Sequence, residues 1–394
     1  MDLLAQKADE TPGAVFLESA GATLTYAATA GLVAERAAAL GDRSGGQVAV
    51  QPRLDVESVV EVLAVIAAGA TAVVVPAGPP AELQEDLIGR AHSDPRPCHS
   101  ILFTSGSSGY PKGVRFSLGN WQAAARASMV TLGHGPGDRW LCPLPLHHVG
   151  GLSIVFRSLQ AGGAVVLSPY QDHTAGWLDR VRFASMVPTQ LHRVLRRRTD
   201  GYRNHPRVLV GGGPVDGGLL DRAATAGLEV LPTYGMTETT AQAATARPGD
   251  PARRLYPLPG LEIAVGPEGR IEVRGETVSL SYLGEPDRRP GEWFATADWG
   301  RIEADGSLTV LGRLDRVIIS GGEKIDAETV ERLLGAVAGV EEVAVIGLPD
   351  REWGETVVAA YRGLIEPGEL APVVRQALGP RAVPKRWLRL DRMP

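Results

Sequence analysis

The first two-thirds of the chain alternates between short apolar runs and longer segments with apolar residues at helical spacing. QVAV at 47–50 and TAVVVP at 71–76 predict buried strands, and 57–69 between them predicts a helix that ends at Gly69. Strands that are apolar on both faces and alternate with helices are typical of a parallel sheet covered by helices on both sides. This part of the chain is therefore expected to be an α/β domain.

The same alternation continues to about residue 235. The predicted strands are SILFTS (100–105), WLCPLPL (140–146), AVVLSP (164–169), RVLVGGG (207–213) and EVLPTYG (229–235). The predicted helices lie at 24–40, 118–132, 188–198 and 217–227. We expect parallel and mixed sheets with flanking helices in one large domain.

The pattern changes after about residue 255. Short alternating strands with Gly and Pro turns predict an antiparallel, barrel-like subregion over 255–312. A compact α+β pattern follows, in which Asp326 is placed to cap a helix. We predict an N-terminal domain over 1–312 and a small mobile C-terminal domain over 313–394, with a hinge near Asp315.

Composition and charge exclude several classes of protein. Hydrophobic residues make up 44% of the 394 residues, charged residues 22%, and the net charge is −5, which gives no indication of nucleic-acid binding. Cys98 and Cys142 alone cannot form a disulfide framework or a cysteine-rich metal site. The N-terminus lacks a signal-peptide pattern, and the apolar region 62–75 is too short to span a bilayer. We therefore expect a cytoplasmic protein without membrane insertion.

The segment TSGSSGYPKG, residues 104–113, is the first candidate for chemistry. It follows a buried strand and combines small residues, hydroxyl groups and Lys112, which are the components of a phosphate-binding loop. The spacing does not fit G-x-x-x-x-G-K-[ST]. Taken alone, the segment is equally consistent with a solvated Gly/Ser turn.

Two further segments decide between these alternatives. PTYGMTETTAQ lies at 232–242, and 295–325 carries Asp298, Arg313, Asp315 and Lys324. Together with TSGSSGYPKG they resemble the AMP-forming adenylate synthetases, in family order and over essentially the whole chain. The resemblance implies that a carboxylate attacks the α-phosphate of ATP, pyrophosphate leaves, and the acyl-adenylate passes to a thiol, commonly that of coenzyme A.

The resemblance also implies roles for individual residues. Glu238 would bind Mg²⁺, Tyr234 would stack on adenine, and Thr237 would bond the α-phosphate. Without the resemblance, Tyr234 reads as a core tyrosine and Glu238 as a surface carboxylate. The implied phosphate loop is Thr104, Ser105, Gly106, Ser107, Ser108, Gly109 and Lys112. The other implied nucleotide contacts are Gly211, Gly212, Gly213, Pro214, Thr233, Tyr234, Gly235, Met236, Thr237, Asp298 and Arg313.

The C-terminal region carries the expected hinge at Asp315 and a loop expected to enter the site in the coenzyme A step. That loop comprises Ser320, Gly321, Gly322, Glu323 and Lys324. The family's terminal glycine–lysine loop is expected after RWLRL, but the sequence ends at DRMP, either because it is truncated or because the protein lacks the loop, and Lys385 precedes the strand. This predicts a chain that binds ATP, forms the adenylate poorly and still transfers a supplied adenylate to coenzyme A.

Residues 143–167 and 183–198 are similar to the o-succinylbenzoate–CoA ligases of menaquinone biosynthesis. His148 falls on the gating position of the acyl pocket, and His147 stands where an aromatic residue is common. A metal site at the two histidines is disfavoured because no carboxylate or cysteine accompanies them. We assign catalysis to Thr104, Lys112, His148, Glu238 and Lys324.

The implied substrate is a dicarboxylate whose second carboxylate needs a cation. Arg157 lies in an otherwise apolar helix and is the first candidate, although it could also be a snorkelling surface arginine. Arg193 is the alternative. The remaining pocket residues are predicted to be His147, His148, Ser153, Gly212 and Gly213. The expected cofactors are ATP with Mg²⁺ and coenzyme A, and a homodimer fits the family. The alternative functions are another acyl- or aryl-CoA ligase, an adenylating domain that loads a carrier protein, or a non-catalytic sensor.

Overall fold

The computed structural model describes residues 2–104, 110–169, 174–198 and 201–393. The chain divides into two compact units. The first comprises Met1–Ile263, Val273–Phe294 and Ala304–Leu308, and the second comprises Ala264–Glu272, Ala295–Glu303 and Thr309–Pro394. The predicted domain division at 312/313 stays a prediction. No helix in the described ranges is long and apolar enough to cross a membrane.

Helices flank the sheets of both units, and their ends follow local capping rules. Asp55 accepts a hydrogen bond from the Ser58 N–H at the start of one helix, and Ser117 and Asn120 form a capping box at another. Gly133 ends the latter helix with φ of 68°. Within the described residues the helices are α1 Asp2–Glu10, α2 Tyr26–Leu40, α3 Val56–Ala67, α4 Ala81–His92, α5 Leu118–Leu132, α6 Val149–Ala161, α7 Thr174–Trp177, α8 Pro188–Arg197, α9 Gly217–Thr225, α10 Ala327–Gly335 and α11 Pro367–Leu378.

The strands of the first unit precede residue 260, apart from one short strand at 281–282. They are β1 Val15–Glu18, β2 Thr23–Thr25, β3 Gln47–Val50, β4 Thr71–Val74, β5 Ser100–Thr104, β6 Lys112–Phe116, β7 Arg139–Cys142, β8 Ala164–Leu167, β9 Phe183–Met186, β10 Arg207–Val210, β11 Glu229–Tyr234, β12 Ala244–Ala246, β13 Leu255–Pro257 and, further along the chain, β16 Ser281–Tyr282.

These strands form two mixed sheets with parallel centres. The larger one runs β13-β12-β11-β10-β9-β7-β8-β1-β2 and is parallel from β11 to β1. The smaller one runs β16-β6-β5-β4-β3 and is parallel from β5 to β3. Because parallel strands point the same way, the segments after β9, β10 and β11 leave one edge of the larger sheet together. That edge carries the predicted nucleotide segments at 211–214 and 233–237.

The second unit holds two further groups of strands. The first group is β14 Leu261–Val265, β15 Arg270–Gly275, β17 Phe294–Ile302 and β18 Leu308–Arg313, which lie mainly in this unit. The second group is β19 Val317–Ser320, β20 Glu323–Asp326, β21 Val340–Asp350, β22 Gly354–Gly363 and β23 Arg386–Arg389. Helices α10 and α11 pack on the second group through Val330, Leu334 and Leu370. Asp326 caps α10 by accepting from the Thr329 N–H, as the sequence predicts.

The predicted fold class is confirmed, with two local corrections. The helix predicted from residue 24 begins at Tyr26, because 23–25 form β2 and Thr25 provides the helix cap. Residues 112–116 form the antiparallel strand β6, which the local pattern does not predict. The core of the first unit includes Trp121 and Trp140, which are both fully buried.

Candidate active site

The glycine-rich segment joins two adjacent strands. Thr104 ends β5, Lys112 begins β6, and the two residues are direct partners in the antiparallel pair. The Thr104 hydroxyl donates to the Lys112 carbonyl oxygen at 3.5 Å. Five predicted phosphate-binding residues lie outside the described residues: Ser105, Gly106, Ser107, Ser108 and Gly109. The described ends of the segment therefore lie side by side, where β5 ends and β6 begins in the smaller sheet.

Tyr282 connects Lys112 to Glu238. The Lys112 ammonium lies over the Tyr282 ring, 5.3 Å from its centroid, and the Tyr282 hydroxyl donates to Glu238 Oε1 at 2.6 Å. Burial, and next the neighbouring Glu238 carboxylate, raise the pKa of the Tyr282 phenol above its usual range. Two predicted catalytic residues that are distant in the sequence thus contact the same aromatic side chain.

Glu238 fits a role as an oxygen ligand of a hard cation. It lies in the short 3₁₀ turn Thr237–Thr239 directly after β11 and is half-buried. Its second carboxylate oxygen, Oε2, accepts no hydrogen bond from any described residue. No group of three His, Cys, Asp or Glu side chains in the described ranges could hold a metal ion. A magnesium ion at Glu238 would therefore need further oxygen ligands from phosphate or water.

The backbone around Glu238 follows a tight, strained path. Thr240 and Ala241 have φ of 52° and 81°, which non-glycine residues rarely adopt. Gly235 approaches this turn so closely that an added Cβ would lie 2.1 Å from the Ala241 oxygen. Such strain persists where surrounding structure holds it, and it is common at functional sites. Gly235 is thus required for this turn.

The predicted adenine segments lie next to each other. Strands β10 and β11 pair in parallel, so that 211–214 and 233–237 follow neighbouring strand ends. A Cβ on Gly211 would lie 2.8 Å from the Thr233 methyl group. Gly212 has φ of 77°. Gly213, Pro214, Tyr234, Met236 and Thr237 lie at the same edge of the sheet, and Tyr234 is half-buried.

The predicted acyl-pocket residues lie at the start of α6. The rings of His147 and His148 are 4.4 Å apart, and His148 is the residue before the helix. Burial, and next the adjacent His148 ring, lower the pKa of His147 to about 4, so His147 is neutral at pH 7. Partial desolvation also lowers the pKa of His148, although its side chain keeps an exposed face. Ser153 is buried and donates to the Gly150 oxygen of its own helix at 3.1 Å.

Arg157 is buried rather than snorkelling to the surface. Its side chain is 3% exposed, and neither Nε nor Nη2 has a hydrogen-bond partner among the described residues. Its guanidinium carbon lies 5.5 Å from the centre of the Trp140 ring. Burial lowers the pKa of Arg157 to about 9. The competing Arg193 is exposed on α8. Of the two candidates, Arg157 has the geometry of a buried cation that lacks a counter-charge.

The predicted ribose residues and the hinge residue lie together in the second unit. Arg313 donates to both oxygens of Asp315, at 2.8 and 2.7 Å, and its Nη1 lies 3.9 Å from Asp298 Oδ1. The Asp315 carboxylate raises the pKa of Arg313, and Arg313 in turn lowers that of Asp315. Asp315 therefore orients the guanidinium through a two-point contact.

The predicted loop of the coenzyme A step is a hairpin between β19 and β20. Gly321 and Gly322 form its two-residue turn, with φ of 58° and 81°. A type I′ hairpin turn requires positive φ at both central residues, which favours glycine. Ser320 is buried, and Glu323 pairs with Arg381 at 2.9 Å. Lys324 is exposed and donates to the Glu268 oxygen at 3.0 Å. Lys385, which precedes β23 as the sequence reading placed it, lies over the Trp353 ring.

Sequence reasoning missed Tyr282, the residue that joins Lys112 to Glu238. It also missed Arg115, which is fully buried and bonds Asp287 and the Ser281 hydroxyl. A basic residue inside the apolar run GVRF was the available signal for Arg115. No local pattern marks Tyr282, because its partners lie far away in the sequence.

Comparison with known proteins decides the family. A model described as "AMP-binding enzyme" matches residues 79–283, and one described as "AMP-binding enzyme C-terminal domain" matches residues 329–394. The chain belongs to the AMP-binding enzyme family. The predicted resemblance to the AMP-forming synthetases is confirmed.

The curated relatives of this chain include 2-succinylbenzoate–CoA ligases from several bacteria. That of Listeria monocytogenes serotype 4b (strain F2365) is 32% identical over 313 residues, covering 75% of this chain and 66% of the relative. That of Bacillus licheniformis is 36% identical over 322 residues, with the same coverage. These alignments thus span slightly less than two-thirds of the length of the curated relatives.

Solved structures of the family extend the similarity to the whole chain. An o-succinylbenzoate CoA synthetase from Bacillus subtilis, in complex with its acyl-adenylate intermediate, has a TM-score of 0.91 at 28% identity and covers 100% of this chain and 95% of its own. The same enzyme in complex with ATP and magnesium ion has a TM-score of 0.92 at 28% identity, covering 100% and 96%.

Proposed function

We propose that this chain is an AMP-forming acid–CoA ligase whose acid is 2-succinylbenzoate. The observation that supports the dicarboxylate specificity is Arg157, a buried guanidinium beside Trp140 that has no counter-charge among the described residues. A planar guanidinium binds carboxylate through two parallel hydrogen bonds. The relatives named for this substrate and the solved complexes with ATP, magnesium and the acyl-adenylate support the same assignment.

In the first half-reaction, the ring carboxylate or the succinyl carboxylate attacks the α-phosphorus of ATP. The bond to the bridging oxygen breaks, and pyrophosphate leaves with its electron pair. We assign Lys112 and the Thr104 hydroxyl to the phosphates that depart, and Glu238 to Mg²⁺; the pairing of Thr104 with Lys112 and the bond from Tyr282 to Glu238 support this assignment. When bound, the magnesium ion neutralises charge on the phosphate oxygens.

In the second half-reaction, the thiol sulfur of coenzyme A attacks the acyl carbonyl carbon, and AMP leaves. We assign the hairpin at 320–324 to this step, and Asp298 with Arg313 to the ribose hydroxyls. Asp315 is assigned to the hinge, next to Arg313, which it bonds at two points. His147 and His148 are assigned to the wall of the acyl pocket, where neutral imidazoles add no charge to a site that receives an anion.

A substrate screen tests this function. Pyrophosphate release is measured with 2-succinylbenzoate, with benzoates that lack the second carboxylate, and with fatty acids, and the coenzyme A product is identified by mass spectrometry. A preference for 2-succinylbenzoate is expected. A preference for a monocarboxylate would favour another acyl- or aryl-CoA ligase, and release without a coenzyme A product would favour an enzyme that loads a carrier protein.

Two further features of the proposal concern the setting of the enzyme. We propose a cytoplasmic location, where ATP and coenzyme A are available, and a homodimer as the assembly. Light scattering coupled to size-exclusion chromatography tests the dimer directly.

A further inference from the structure

The segment 279–283 is bonded to both elements that carry the charged residues of the site. Its Ser279 N–H donates to the Glu238 backbone oxygen at 2.8 Å. Its strand β16 pairs with β6, so that Tyr282 lies opposite Val114, two residues after Lys112. The Leu283 N–H donates to the Gly113 oxygen at 2.8 Å. The backbone position of Tyr282 is therefore set by the neighbours of Glu238 and by those of Lys112.

An ionic cluster around the buried Arg115 holds the same segment, although its carboxylate partner Asp287 is 42% exposed. Arg115 on β6 is fully buried, and its Nη1 bonds both Asp287 and the Ser281 hydroxyl. The Ser281 hydroxyl also donates to Asp287 at 2.9 Å, and Arg96 adds a third contact to this carboxylate at 3.1 Å. These contacts fix Ser281, and they therefore restrict the position of the next residue, Tyr282.

Close packing at Gly113 fixes the segment further. A Cβ on Gly113 would lie 2.2 Å from the Leu283 side chain, so only glycine permits this approach of the two strands. The Tyr282 ring therefore lies beside the start of β6, where the Lys112 ammonium lies over the ring face.

We propose that Tyr282 is a positioning residue for the activation step. Its hydroxyl bonds Glu238 Oε1 and leaves Oε2 available for a divalent cation, while its ring face holds the Lys112 ammonium for the phosphates. Two groups that act on one nucleotide are thereby oriented by one rigid side chain. This inference rests on the proposed use of ATP and magnesium.

The hydroxyl and the ring of Tyr282 are expected to have separate effects on nucleotide binding. A residue that orients a metal ligand typically changes metal affinity by about 10- to 100-fold when it is removed. A cation over an aromatic ring at an exposed site contributes about 2- to 5-fold in affinity. Deleting the hydroxyl should thus affect the magnesium-dependent part of ATP binding, and deleting the ring should also affect the part that needs no magnesium.

Calorimetric binding of a non-hydrolysable ATP analogue, with Mg²⁺ and with EDTA, separates the two effects. For Tyr282→Phe we expect the ratio of the affinity with Mg²⁺ to the affinity in EDTA to be about tenfold smaller than in the wild type, while the affinity in EDTA stays within about twofold of the wild-type value. Tyr282→Leu should lower the affinity in EDTA as well, by about 2- to 5-fold. Tyr256→Phe is the matched control, because the Tyr256 hydroxyl donates to Asp305 at 3.1 Å in the same unit.

A structural role is excluded by a double-mutant cycle with Glu238→Gln. If Tyr282 acts through Glu238, Tyr282→Phe should have no further effect on the magnesium dependence once the carboxylate is gone. Activity of Tyr282→Phe should recover at high Mg²⁺ concentration, since orientation rather than chemistry is lost. Both variants are compared by urea unfolding, and the Phe variant alone suffices if the Leu variant does not fold.

The outcomes distinguish this inference from the proposed function. A wild-type chain that binds ATP without any magnesium dependence overturns both. The role of Tyr282 alone is overturned if the wild-type chain shows magnesium dependence and Tyr282→Phe shows the same dependence. It is also overturned if Tyr282→Phe reduces the magnesium dependence by the same factor in the Glu238→Gln background as in the wild type.

Discussion

Arg157 lies 5.5 Å from the centre of the Trp140 ring and forms no ion pair with any described residue, although it is 97% buried. A buried charge without a partner is destabilising, because the charge loses its hydration and gains no counter-charge. Arg157 is therefore the residue at which stability and substrate recognition can be separated by experiment.

Replacing Arg157 by Ala should change the substrate preference. If the guanidinium binds the second carboxylate, kcat/KM should fall about 10- to 100-fold with 2-succinylbenzoate, as expected for a lost hydrogen bond to a charged group. It should change little with a benzoate that lacks that carboxylate. Arg193→Ala is the control, because Arg193 is exposed. An equal loss with both acids would assign Arg157 a structural role, and a selective loss in the control would transfer the role to Arg193.

The same residue gives a prediction about stability. Arg157→Met keeps a long side chain and removes the unpaired charge, so the ligand-free variant should be more stable by about 1–4 kcal/mol. Arg115→Met is the matched contrast, because Arg115 is equally buried but bonds Asp287 and Ser281. Removing Arg115 should destabilise by a smaller amount than in a fully buried pair, about 1–3 kcal/mol, because Asp287 is 42% exposed and stays hydrated while the buried Ser281 hydroxyl loses a donor. Urea unfolding measures both, and a loss of stability in Arg157→Met would contradict the unpaired state of this arginine.

Glu238→Gln tests the proposed magnesium ligand. The amide oxygen can still accept from Tyr282, but the negative charge is gone, so a hard cation binds less well. Pyrophosphate exchange at limiting Mg²⁺ should slow on the order of 100-fold. Glu276→Gln is the control, since the Glu276 side chain is 81% exposed in the same unit. Unchanged exchange in Glu238→Gln would remove this residue from the metal site.

His134 predicts a loss of stability in acid. It is buried between Trp140 and Phe183, and neither ring nitrogen has a described hydrogen-bond partner. Burial lowers the pKa of His134 to about 4, from 6.5, against an opposing effect of Asp138. Between these values the folded state binds fewer protons than the unfolded chain, so stability falls as the pH decreases from about 6.5 to 4.

The effect at His134 should reach about 2 kcal/mol between pH 7.5 and pH 5. Urea midpoints at the two pH values measure it, and His134→Phe should flatten the dependence by that amount. Substitution of the exposed His92 serves as the control. A His134→Phe protein with the same acid dependence as the wild type would assign the effect to other groups.

The sequence predicts the elements better than their long-range contacts. Helix α5 has the predicted bounds, because its capping residues and Gly133 are local signals. The short strand that carries Tyr282 has no such signal, since two residues give no periodicity and its partner Glu238 lies 44 positions away. Elements stabilised by partners distant in the chain are therefore missed.

The two buried arginines show a second limit. Both Arg115 and Arg157 appear in the sequence as one basic residue inside an apolar run. Whether each is paired depends on residues far away in the chain, and the structure pairs Arg115 while leaving Arg157 without a partner among the described residues. The family resemblance directed attention to Arg157, but only the tertiary structure distinguishes a stabilising cluster from a binding group.

Lys112 and Glu238 contact different parts of one neutral side chain, and in the described part of the molecule Lys112 forms no ion pair. Opposite charges in an empty pocket commonly neutralise each other, and such a pair must dissociate before each partner can meet a ligand. Here the Tyr282 hydroxyl bonds Glu238 and the Tyr282 ring faces Lys112, so an arriving nucleotide does not have to break a salt bridge between the two charges. The two charged groups are consequently held apart by one side chain, and the attraction of each for a nucleotide and its cation is not reduced by a salt bridge between them.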